Sequence, residues 1–184
     1  MKVSIHQPNF MPWCPFFQKM ELADVFVIMG NCQYEKGGYQ NRFKYGEKWL
    51  TMSVQRGMTS IVDKRYAFPS RDWASLKERC ATYKDKISIF DDCISENLFE
   101  TNVSIIKRAK ELLNIKCEIV YDYPTKLRST ERLVDICKRY SARTYISGVS
   151  GAQYLDRCLF QDADISLEFQ RSEDMVKKTL IEVI

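Results

Sequence analysis

The sequence predicts an α/β fold: a mostly parallel sheet flanked by helices, with a small antiparallel hairpin inserted. Three observations predict it. The first 29 residues have the length and pattern of a strand–helix–strand unit. Apolar runs and amphipathic stretches then alternate down the chain, which is the order that builds parallel sheets. Between them, residues 41–54 alternate at period two around a glycine, as a hairpin does.

Met1 to Ile5 reads as a short strand ending on His6, the sole histidine. Gln7, Pro8 and Pro12 mark a loop, because proline fixes φ and continues neither a ladder nor a helix interior. Trp13, Phe16, Phe17, Met20 and Ala23 then fall on one face of a helix. Asp24 closes it, and Val25 to Met29 is an apolar strand. Gln33 to Tyr39 is irregular. Asn41 to Tyr45 and Lys48 to Val54 pair as a hairpin with Gly46 in the turn, and Leu50, Met52 and Val54 face the core.

Residues 55–69 read as loop. Ser70 is the expected cap of a helix reaching about Lys84, with Trp73, Leu76, Cys80 and Tyr83 on its buried stripe. A short helix is expected around Ile94 to Phe99. Thr101 or Asn102 is the expected cap of the next helix, which carries Val103, Ile106 and Leu113. Cys117 to Tyr121 is a strand that Pro124 stops. Ser129 opens a helix with Leu133, Ile136, Cys137 and Tyr140. Arg143 to Ser147 and Ile165 to Phe169 are the last strands, separated by SGVSGAQYLD and the packing pair Leu159 and Phe160. Met175 to Ile184 fits either a helix or a strand.

A chain of 184 residues suits one sizeable core, so residues 1–184 are expected to form a single domain. Hydrophobic residues are 45% and charged residues 28%, an ordinary globular composition. No run approaches the roughly 18 apolar residues of a membrane span, and no signal-peptide pattern opens the chain. Seven cysteines, an odd number, include no CxxC. That argues against a disulfide framework or zinc site and for reduced thiols in the cytoplasm.

The net charge of +4 is unevenly spread. Residues 35–79 hold ten Lys or Arg against five Asp or Glu, whereas residues 151–184 hold four against seven. The basic excess suggests an anionic partner such as a nucleotide-sugar or another phosphorylated small molecule; the alternative is a solvated mixed-charge face. Nucleic acid is disfavoured, because no recognised nucleic-acid motif or long basic run occurs.

Three places carry candidate chemistry. His6 lies in the loop after the first strand, over the carboxyl ends of the strands, where open α/β sheets bind ligands. It can act as a general acid or base; the alternative is a satisfied structural histidine. Gln7 shares that loop, and Lys19 on the following helix either reaches it or is merely solvated. The second place gathers Gln33, Tyr34, Lys36, Asn41, Arg42 and Lys44, whose amide, phenol, ammonium and guanidinium groups suit a phosphate or carboxylate. Tyr34 and Tyr39 can stack on a sugar or base; the alternative is a polar surface hairpin. The third is the run Ser147, Gly148, Ser150, Gly151 and Tyr154, whose glycines let backbone N–H groups face an anion where a helix begins; the alternative is a plain strand-to-helix turn. No metal site is expected. Cys14 invites a Cys–His reading with His6, but a cysteine before Pro15 on an apolar helix face is first a small buried hydrophobe.

Together, IHQPNFMPW, Lys19, Ala23-Asp24, Gln33-Tyr34, Lys36, Asn41-Arg42 and Trp49-Leu50-Thr51 resemble the WbqC-like protein family. YISGVSGAQYLD followed by LF resembles that family's later signature. The resemblance implies functional weight for His6, Gln7, Pro8, Pro12, Trp13, Lys19, Asp24, Gln33, Lys36, Asn41, Arg42, Ser147, Gly148, Gly151 and Tyr154. It also implies a bacterial cytoplasmic protein of surface-polysaccharide (O-antigen type) biosynthesis, with a role in attaching an amino acid such as glycine to an amino sugar. Family members commonly have an acidic residue ahead of the Gln, where this chain has Gly30-Asn31. They also usually carry a longer stretch beyond Phe169. A looser similarity is to the opening of pantothenate synthetase and other adenylyl-transferring enzymes, which implies a Rossmann-like fold and nucleotide binding. Those enzymes carry a second histidine where this chain has Trp13 or Cys14.

The expectation is therefore a transferase that moves an acyl or aminoacyl group onto a nucleotide-linked amino sugar. His6 would take the amine proton, Gln7 and Asn41 would orient the substrate, and Arg42 with Lys36 or Lys44 would neutralise phosphate. Two other readings stay open: a non-catalytic nucleotide-sugar-binding module, and an ATP-using adenylyltransferase or ligase. The cofactor is open between a nucleotide and an activated acyl donor, and a homodimer is among the open assemblies.

Overall fold

The computed structural model describes residues 1–184. They pack as two units, one of residues 1–6, 15–29 and 115–176, the other of residues 7–14, 30–114 and 177–184. In chain order the elements are β1 (Lys2–His6), α1 (Cys14–Glu21), β2 (Val25–Ile28), β3 (Arg42–Tyr45), β4 (Lys48–Thr51), α2 (Pro69–Arg79) and α3 (Lys84–Ser88). There follow α4 (Leu98–Leu112), β5 (Glu118–Tyr121), α5 (Ser129–Arg139), β6 (Thr144–Ser147), α6 (Arg157–Gln161) and β7 (Ser166–Phe169).

The first unit is a five-stranded parallel sheet in the order β5-β2-β1-β6-β7. Counting sheet strands along the chain, that is third, second, first, fourth, fifth, the order of doubly wound nucleotide-binding folds. Strand β2 has all four residues, Val25 to Ile28, buried, as a central parallel strand covered on both faces must be. On one face Val3, Ile5, Val25, Val27 and Tyr145 pack with Ile136 and Cys137 of α5 and Phe160 of α6. The Tyr145 and Phe160 rings stack at 5.2 Å. On the other face the α1 stripe of Phe16, Phe17 and Met20 is buried, and Phe16 meets Phe26 at 5.1 Å. Asp24 ties the start of β2 to the start of β1: its carboxylate accepts the Lys2 N–H at 2.7 Å, and its own N–H reaches the Lys2 carbonyl at 2.9 Å. Its place is structural, at the amino end of the strands.

The sheet order reverses between β1 and β6. Their register pairs Ser4 with Ile146, so the carboxyl ends, His6 and Ser147, are neighbours at the point where such folds bind ligands.

The second unit is built mainly from the long connection between β2 and β5. It holds the antiparallel β3–β4 hairpin, turned at Gly46 with φ +56°, and helices α2, α3 and α4. Its core joins Phe10 to the rings of Phe43, Tyr66 and Trp73 at 5.9, 6.3 and 6.2 Å, with Leu50, Met52, Ile61 and Leu76 buried around them.

Several local expectations are corrected. Helix α2 starts at Pro69, not at a Ser70 cap, because Pro suits the first turn of a helix, where no N–H partner is needed. It stops at Arg79; a 3-10 turn, Ala81–Tyr83, separates it from α3. There is no helix over Ile94 to Asn97. Helix α4 starts at Leu98, capped by Asn97, whose side chain accepts the Glu100 N–H at 3.0 Å. Thr101 and Asn102 are thus inside α4, and both are buried. The end of the chain settles as a 3-10 turn, Leu180–Glu182, with a Thr179–Glu182 capping box.

Candidate functional site

The carboxyl rim of the sheet holds His6, Lys19 and the turn after β6. The His6 ring is half-buried and packs edge-on against Phe16 of α1, centroids 4.9 Å apart. One helical turn further along α1, Lys19 is 3% exposed. Its Nζ donates to the Ile5 carbonyl at 3.0 Å and lies 5.7 Å from the Phe26 ring centre. Removal from water penalises the ammonium form and brings Lys19 down to about 7. The last two residues of β1 thus both meet α1, Ile5 through its carbonyl on Lys19 and His6 through its ring on Phe16.

Beyond β6, Ser147 is buried, and its carbonyl accepts the Gln170 N–H at 2.9 Å. Gly151 folds back over it: a Cβ there would stand 2.0 Å from Ser147 Oγ, so only glycine fits. The Gly151 N–H is used inside the turn, on the Gly148 carbonyl at 3.0 Å. The glycine run thus opens onto a 3-10 turn, Val149–Gln153, with α6 following only after the Asp156 cap. Ser150 and Tyr154 are exposed on it.

The other predicted residues, Gln7, Trp13, Gln33, Tyr34, Lys36, Asn41, Arg42 and Lys44, belong to the second unit. Much of this set braces irregular backbone. Gln40 donates its amide to Gln7 Oε1, and Gln7 donates in turn to Cys32 Sγ at 3.4 Å. Tyr34 donates to Asn41 Oδ1 at 2.9 Å, and Asn41 donates to the Met52 carbonyl at 2.7 Å. Burial pushes the Tyr34 phenol up, keeping it a donor. Arg42 closes the Gly37–Gly38 turn, with Nε on the Gly38 carbonyl at 3.1 Å and Nη2 on the Gly37 carbonyl. Its guanidinium lies 4.2 Å from the Trp49 ring centre. Lys44 pairs with Glu47 at 3.1 Å on the surface. Gln33 and Lys36 are exposed.

The second unit also contains a cleft of about 360 Å³, within the size range of small-molecule sites. Of the predicted site residues it is lined by Trp13 and Lys44. Sequence reasoning missed the others that give it character, Trp49, Lys177, Lys178 and Glu182, and weighed Tyr39 only as a stacking residue. The pattern Thr179-x-x-Glu182 was a readable signal, since that spacing makes a capping box. It would have fixed the turn, though not its place beside the hairpin. The loop from Asn9 to Trp13 lines the same cleft and holds Met11 at φ +44° just before Pro12, a strained setting for a residue that precedes proline.

No helix is long and apolar enough to cross a membrane. The sequence profile of the WbqC-like protein family matches residues 7–178. An uncharacterized protein of Mycobacterium tuberculosis, Rv1507c, is 28% identical over 185 residues, spanning 89% of this chain and 79% of that one. No solved structure matches.

Proposed function

The chain belongs to the WbqC-like protein family, and from that premise we propose that it is a cytoplasmic transferase of surface-glycan precursor synthesis. It would move an acyl or aminoacyl group, glycine-like in size, onto the amine of a nucleotide-linked amino sugar. The carrying observation is the position of His6 at the carboxyl end of β1, beside the end of β6, where the strand order reverses. In this reading the sugar amine attacks the activated acyl carbon and an amide C–N bond forms. The leaving group departs with its electron pair, and His6 accepts the proton the amine loses. Lys19, close to neutrality in its buried place, helps set the field at that strand end. The seven free cysteines accord with a reducing compartment.

The test is a transfer assay with an activated amino acid and a UDP-linked amino sugar, read by mass spectrometry. The expected product is the N-acylated sugar nucleotide. Saturable binding without product would favour a binding module instead. Pyrophosphate release dependent on Mg²⁺, ATP and a free carboxylic acid would favour an adenylyl-transferring ligase.

A further inference from the structure

We propose that the cleft of the second unit is a binding site for a nucleoside diphosphate. The base would stack on the indoles and the phosphates would lie on the lysines. The assignment shares a ligand class with the reading above, but it stands on the cleft's own composition.

The lining is unusual for a surface that has only to be soluble. Trp13 is 44% exposed, Tyr39 56% and Trp49 37%, and all three line one concavity. Large aromatic faces left open in a single cleft mark a surface that is covered in use. Two of them are held in place. Trp49 carries the Arg42 guanidinium at 4.2 Å from its ring centre and meets the Tyr39 ring at 5.5 Å, while Arg42 is itself anchored on the Gly37–Gly38 turn. The stacking platform is therefore preorganised, and stacking on it tolerates any base, because every base has a π-face.

Charge then selects what the ring carries. Lys44, Lys177 and Lys178 line the cleft with one lining carboxylate, Glu182, and Lys44 also pairs at the surface with Glu47 at 3.1 Å. The Glu182 Oε2 accepts from the Thr179 N–H at 2.6 Å and from its hydroxyl at 2.7 Å, bonds that hold the carboxyl below its ordinary range. The carboxylate is thus ionised and occupied with shaping the turn that presents the two neighbouring lysines. The Cys14 N–H fixes that turn from the other side through the Lys178 carbonyl at 2.9 Å. A neutral sugar would gain nothing from three ammonium groups, and a bare phosphate would leave the aromatic walls wet. A flat ring joined to a short polyanion uses both.

Tryptophan fluorescence gives the readout, because Trp13 and Trp49 line the cleft whereas Trp73 is buried with its Nε1 on Asp91 at 2.7 Å. The chain is titrated with UDP and ADP, and with uridine and inorganic pyrophosphate as half-ligands. Both diphosphates should quench and saturate, and both half-ligands should bind about tenfold more weakly or worse. Trp49→Ala and Trp13→Ala should each weaken UDP about tenfold, in line with the loss of a base–aromatic stack. Lys177→Ala with Lys178→Ala should weaken UDP but not uridine, and raising salt should do the same. UDP binding that these exposed variants leave unchanged overturns the cleft assignment alone, even if transfer to a nucleotide-linked sugar is observed. Nucleotide binding that they abolish, with no transfer under any condition, overturns the transfer reading alone. Pyrophosphate binding as tight as UDP overturns the stacked base.

Discussion

In the sheet unit the parallel ladders satisfy most of the backbone, and buried polar groups are few and local: Ser4 Oγ on the Ile146 carbonyl at 2.8 Å, Lys19 Nζ on the Ile5 carbonyl at 3.0 Å, and the Arg132–Asp122 ion pair. In the second unit side chains do much of what ladders do elsewhere. Asn102 donates to the carbonyls of Pro8 and Gln40 at 2.8 and 2.7 Å and accepts from Tyr66. Asn97 reaches the Val62 carbonyl at 3.0 Å, Lys64 the Gly57 carbonyl at 2.8 Å, and Asp72 accepts the Ser53 N–H at 2.6 Å. Buried carbonyls and N–H groups need partners wherever the chain is irregular. A cluster of amides and cations therefore means different things in the two units. At a strand end it is a candidate for chemistry, and in an irregular unit it is scaffold first.

The largest test of that contrast is Lys19. Its folded-state pKa, about 7, lies below the unfolded value of 10.5, so between those values the unfolded chain holds the extra proton. Stability should therefore rise with pH from about 7 and level off near 10.5, by at most about 5 kcal/mol. Lys19→Met should flatten that rise, as read by urea unfolding at a series of pH values. An unchanged slope would mean that Lys19 is solvated.

Next is Asn102. Asn102→Leu keeps the volume but strands buried carbonyls in the second unit, and about 3 kcal/mol should be lost. If residues 1–184 unfold as one domain, as the sequence leads one to expect, Lys19 and Asn102 variants will shift the same single transition. Two transitions, each moved by only one variant, would make the units independent.

The smallest effect is expected at Arg42. Arg42→Ala removes a guanidinium that holds the Gly37–Gly38 turn and stacks on Trp49. About 1 kcal/mol should go, with Trp49 fluorescence changing in the free protein. A silent free protein with impaired ligand binding would instead give Arg42 the phosphate role that its residue type suggests.

The same contrast explains what could be read from sequence. VFVI, EIVY and TYIS are short apolar runs between turn residues, and each strand of the sheet falls within about a residue of its expected place. His6 is legible because a strand simply stops there. The second unit hides its logic in long-range bonds. Asn102 looks like a helix cap locally, yet its partners are 62 and 94 residues away. Ile61 and Tyr66 are buried core residues within a stretch that has no periodicity. The cleft combines residues 9–13, the region of the hairpin, and 177–182; composition identified the basic excess near the hairpin but could not bring the tail lysines to it.

The central claim is that the sole imidazole, at the end of β1, accepts the proton that amide formation releases. It is tested most directly by single-turnover transfer with His6→Ala, followed across pH beside the parent, with binding of the sugar nucleotide measured on the same samples. The account predicts unchanged binding and a rate lowered about 100-fold or more. A variant that transfers at the parental rate with the parental pH profile would contradict it.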